Sequence, residues 1–159
     1  MVGNFVIAAA SAAVIALPPA AFAQRTHGTA AEAKAMLMKA IAAVKADEAK
    51  ALAMFNKGEG GFRDRDLYVF CANVSDGTLV ATGNPNLREA LDVDIRAAQN
   101  STGKRFGEEI YAAIQKPEGQ ITEVSYIAPE TDAGDTLVAK VSLVARADAD
   151  LGCGVGYYK

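Results

Sequence analysis

The sequence predicts an α+β domain in which a long N-terminal helix precedes a five-stranded antiparallel sheet, with two short helices between the second and third strands. Three observations carry this. The last nine residues, LGCGVGYYK, alternate strictly. Leu151, Cys153, Val155 and Tyr157 fall on one side of a strand, and Gly152, Gly154 and Gly156 on the other. Second, apolar residues Leu37, Ile41, Val44, Leu52 and Phe55 step by helical spacing over nineteen positions. Third, Asp76-Gly77 sits between two apolar runs, a hairpin signal.

Taken in order, Thr29 and Glu32 form a capping box that opens the long helix, and Asn56, Lys57 and Gly58 stop it. At about 1.5 Å per residue such a helix reaches roughly 40 Å. It either covers the sheet or projects to meet a second copy. Residues 67–74 (LYVFCANV) read as a buried strand, and 79–82 return from the hairpin as the second. Asn86 and Glu89 read as a second capping box, opening a helix with Leu87, Leu91 and Ile95 on one side. A further helix carries Phe106, Ile110 and Ile114 and stops before Pro117. Strands at 120–128 and 136–146 flank a turn at 129–135, and the glycine-rich strand closes the domain. A strand face bare of side chains implies close approach by a helix or by a small ligand.

Residues 5–17 form an apolar run followed by Pro18, Pro19 and the small-x-small triplet Ala21-Phe22-Ala23. The run is shorter than the ~20 residues that span a bilayer, so residues 1–23 read as a cleaved secretory signal and 24–159 as a single mature domain beginning at Gln24. The first five residues carry no Lys or Arg, which is off pattern for such a signal. All 16 basic and 19 acidic residues follow Ala23, and with a net charge of −3 no basic stripe points to nucleic acid. Two cysteines in an exported chain imply one disulfide, Cys71 to Cys153, against the alternative of two free buried thiols.

Enzyme chemistry and cofactors are not expected. The single histidine, His27, lies just past the cleavage site in a segment expected to be loose, so no serine or cysteine has a fixed imidazole as its base. No His/Cys cluster offers metal ligands. The pairs Asp92/Asp94 and Asp148/Asp150 lack the further oxygens calcium needs. The three glycines are not a dinucleotide fingerprint, because no helix follows them.

Small-anion binding is better supported. Val138, Lys140, Ser142, Val144 and Arg146 share one face of the fourth strand, which puts a charged Lys140 between apolar neighbours. Either its stem snorkels along an exposed face, or its ammonium lies inside a cup as a carboxylate partner with Tyr126 donating a hydroxyl. Tyr68 either closes that pocket or fills core. Arg63 and Arg65 either clamp an anion or solvate a link.

The order of elements is that of PAS-like sensor domains. The segments DLYVFCANVSDGTLVATGNPNL (66–87), TGKRFGEEIY (102–111), GQITEVSY (119–126), Lys140-Val141-Ser142 and DLGCGVGYYK (150–159) resemble the single Cache domain, the periplasmic sensor module of chemoreceptors and histidine kinases. The resemblance covers nearly all of the chain after residue 23. It implies a PAS-like sheet with its first and last strands central, a ligand cup reached by the Tyr126 and Lys140 positions, and a membrane receptor or histidine kinase as partner. The chain departs from the pattern after Asn84-Pro85-Asn86-Leu87, where Arg88, Glu89 and Ala90 stand in place of the usual Gly-Lys. No apolar span follows the domain, so the expectation is a free periplasmic form. The function expected is a periplasmic module that binds a small organic acid, with Lys140, Tyr126, Tyr68 and Arg65 as ligand residues. The alternative is a non-catalytic interaction protein that uses the same fold and dimerises or docks through its long helix.

Overall fold

The computed structural model describes residues 26–130 and 136–159. The signal-peptide reading of residues 1–23 lies outside the described residues, as does most of the turn between the third and fourth expected strands.

Helix α1 (Ala30–Ala46) begins on the capping box. The Thr29 hydroxyl accepts from the Glu32 amide at 3.2 Å, and the Glu32 carboxylate accepts from the Thr29 amide at 2.7 Å. The long helix read from the spacing is not one rod. It breaks at Asp47, which is extended at φ −165° and ψ 95° and serves both helices: its amide donates to the Ala43 carbonyl, and its carboxylate caps the Lys50 amide at 3.0 Å. Helix α2 (Glu48–Lys57) then runs to Gly58, whose positive φ of 69° makes it the left-handed cap. Aspartate competes with helical hydrogen bonding through its own side chain, which explains the break. The new direction lets Ala51 and Phe55 bury against strands β2 (Leu67–Asn73) and β3 (Leu79–Thr82), while Leu37, Ala40 and Val44 bury against the sheet centre.

The sheet is antiparallel throughout, in the order β1-β2-β6-β5-β4 with β3 also on β2. Besides β2 and β3 it contains β4 (Thr122–Pro129), β5 (Leu137–Arg146) and β6 (Leu151–Tyr158). A sixth strand was not expected: β1 (Arg63–Asp64), two residues paired with the start of β2. The chain-terminal β6 lies between β2 and β5, so the first long strand and the last are neighbours. That register sets Cys71 directly opposite Cys153, and the two form a disulfide with alpha carbons 4.1 Å apart. The expected pairing is therefore present.

Period-two alternation divides the sheet into two faces. Leu67, Val69, Cys71, Leu143, Cys153 and Val155 pack beneath α1 and α2. The opposite face carries Ala72, Val124 and Val144 and meets helix α3 (Phe106–Ile114) through Ile110, Ala113 and Ile114. Between β3 and α3 the expected first helix is replaced by two 3₁₀ turns, Pro85–Ala90 and Ile95–Ala97. Asn84 rather than Asn86 caps the first, accepting from the Asn86 amide at 3.0 Å. Asp92 at φ +65° keeps the segment from winding on. Leu87 is consequently left at the surface instead of in the core.

The bare face of β6 is approached by helix α3 at one end and by side chains of the neighbouring strands further along. A Cβ on Gly152 would collide with Ile114 of α3, and one on Gly154 with the Phe70 ring. At Gly156 it would lie 2.8 Å from Cε of Lys140, at the open end of this face. We expect Gly152→Ala to displace Ile114 and cost about 1–3 kcal/mol in urea unfolding. A change below ~0.5 kcal/mol would show that α3 is not seated on the glycine.

Candidate functional site

The end of the sheet beyond Phe70 is not covered by α3. A cavity of about 730 Å³ opens there, walled by β2, β4, β5, β6, the N-terminal end of α3 and segment 84–101. This is the size of a small-molecule pocket. Three strands place a row of side chains across its floor, because Tyr126 of β4 pairs with Lys140 of β5 and Lys140 pairs with Tyr158 of β6. Tyr68 on β2 completes the group.

Lys140 is 3% exposed, so its side chain does not lie along an outer face. Its ammonium stands 4.4 Å from the centroid of the Tyr158 ring and 5.0 Å from that of Tyr68. These cation–π contacts partly replace lost water. Burial nevertheless pulls the lysine pKa below its ordinary value, against the opposing pull of Tyr158 and of the buried Asp66. The Tyr126 ring stacks on Phe106 with centroids 4.0 Å apart, and its hydroxyl shares a 3.0 Å hydrogen bond with Ser142. With Ser142 as the donor, the Tyr126 hydroxyl is able to donate into the cavity. Burial raises the pKa of Tyr126 and of Tyr68, so both are neutral donors at physiological pH.

Lys140, Tyr126 and Tyr68 thus line one cavity, and Arg65 does not. The Arg65 guanidinium donates to Asp64 at 2.7 Å, to Glu32 at 2.8 Å and to the His27 carbonyl at 3.1 Å. It ties the start of α1 to the β1–β2 turn, where Arg65 itself has φ +53°. Its charge is matched locally, which leaves no role as an anion clamp in the cavity. Glu32 receives the other side of this arrangement. The Thr29 amide and then Arg65 hold its carboxyl down at a pKa of about 2, against an ordinary 4.5. Because the folded value is depressed, its contribution to stability is present above pH 4.5 and is lost as pH falls toward 2. Glu32→Gln should therefore flatten the acid limb of a stability-versus-pH curve within that window. An unchanged limb would contradict the pairing.

His27 is held rather than loose. Its Nε2 lies 2.9 Å from the Glu130 carboxylate, and its ring stands edge-on to Tyr158 at 5.3 Å. Both cysteines are consumed in the disulfide, so this imidazole has no thiol to activate. Sequence reasoning missed Tyr158 and Ser142. The alternation that sets glycines 152, 154 and 156 on one face continues to Tyr158, so extending the pattern by one step places that ring over the cavity.

The fold aligns with solved structures of chemotaxis proteins. A crystal structure of a methyl-accepting chemotaxis protein from Vibrio parahaemolyticus matches with a TM-score of 0.58 at 18% identity, covering 80% of this chain and 86% of that one. A periplasmic sensor domain of a chemotaxis protein matches with a TM-score of 0.55 at 17% identity, covering 79% of this chain and 87% of the other. No family model and no curated protein matches the chain. The α+β architecture, with its N-terminal helix and antiparallel sheet, is the fold this chain shares with these two structures.

Proposed function

We propose that this chain is a periplasmic sensor module of single-Cache type that binds a small organic acid and presents the bound state to a membrane receptor or histidine kinase. The observation that carries the reading is a lysine buried to 3% exposure in the floor of a cavity of about 730 Å³. A buried ammonium is costly unless it gains a partner, and an anionic ligand supplies one. The carboxylate sits against Lys140, Tyr126 donates its hydroxyl, and Tyr68 closes the floor. The disulfide fits an oxidising compartment, and residues 1–23 serve as the export signal for the domain at 24–159. The similarity to chemoreceptor sensor domains supports the partner class.

A thermal-shift screen of the mature protein against carboxylates and amino acids tests the reading. At 100 times its dissociation constant, a ligand that binds the folded state adds about 2.7 kcal/mol of stability. Failure of every carboxylate to raise the midpoint would overturn the proposal.

A further inference from the structure

We propose that the ligand is an amphipathic monocarboxylate, an acid with one anionic head and an apolar chain, with the head on Lys140 and the chain running to the mouth of the cavity. This deepens the preceding assignment and rests on Lys140 being the anion partner.

Three observations lead here. The first is the charge of the walls. Among the described residues lining the cavity, Lys140 is the sole cation, and the two carboxylates are already engaged. Asp94 is held by Arg96 at 2.6 Å and Glu130 by His27 at 2.9 Å. A second carboxylate on the ligand would meet these anions and no further cation. The amino group of an amino acid would meet no unpaired wall carboxylate.

The second is the volume. Water occupies about 30 Å³ per molecule, so 730 Å³ holds on the order of twenty waters, and a two-carbon acid displaces few of them. The third is the rim. Two of the large hydrophobic side chains exposed among the described residues, Leu87 at 42% and Val93 at 46%, belong to the 84–101 segment that walls this cavity. Between rim and floor the wall is mainly apolar, including Phe70, Ile95 and Phe106. Apolar side chains gathered round a concave mouth mark a surface that a ligand covers.

Calorimetric titration of the mature protein with acetate, butanoate, hexanoate and octanoate tests this, with hexanol, hexanedioate and norleucine as comparators. Affinity should tighten by about fourfold for each methylene buried, and hexanoate should bind at least tenfold tighter than each comparator. The double substitution Leu87→Ser and Val93→Ser, at exposed positions, should lower octanoate affinity more than butanoate affinity. Acetate binding as tightly as octanoate, or hexanedioate or norleucine binding tighter than hexanoate, would overturn the chain proposal while leaving Lys140 as anion partner. Hexanol binding as tightly as hexanoate would instead overturn the anion assignment and this inference with it.

Discussion

Replacing Cys71 and Cys153 together by alanine lowers the stability of the domain by about 4–5 kcal/mol. The two residues are 82 apart in sequence, and the chain-entropy model assigns a closed loop of that length roughly this amount. The bond joins β2 to β6, the first long strand and the last, so its loss frees the 82-residue stretch that it closes in the unfolded ensemble. Both residues are fully buried beneath α1 and α2, and alanine also removes two sulfur atoms from that core. Urea unfolding of the double variant beside the oxidised parent measures the effect, and the parent unfolded with reductant should lose a similar amount. A loss under ~1 kcal/mol would mean that the β2–β6 pairing persists in the unfolded chain or that the bridge is not formed.

That bridge was legible because the chain reads as exported and only one pairing of two cysteines exists. The apolar run at 67–74 located β2, the Asp76-Gly77 hairpin signal β3 and the alternation at 151–159 β6, and the Thr29/Glu32 capping box fixed the start of α1. Elements decided by competition between local hydrogen bonding and packing were not legible. Asp47 stands in a stretch with good helical spacing, yet its carboxylate caps the following turn and ends the helix. Asn86 and Glu89 match a capping pattern, but Pro85 and the positive φ of Asp92 confine that segment to 3₁₀ turns. Arg65 looked available to an anion because its partners Glu32 and Asp64, and the His27 carbonyl, meet only when β1 folds back beside α1. The row formed by Tyr126, Lys140 and Tyr158 depends on the register of three strands, and no single segment encodes a register.

Lys140→Met carries the second large effect. Methionine keeps most of the stem in the floor and removes the ammonium, so the unliganded variant should unfold at or above the midpoint of the parent, since burial already disfavours the charge there. Tyr126→Phe deletes one neutral donor and should cost less in binding than loss of the lysine charge. The direct test is calorimetric titration of the parent and the Lys140→Met variant with the tightest-binding carboxylate from the thermal-shift screen. Loss of a charge-assisted hydrogen bond predicts a Kd weaker by roughly ten- to a hundredfold, about 1.5–3 kcal/mol, with the fold intact. A Lys140→Met variant that binds this ligand as tightly as the parent would contradict the assignment of the site.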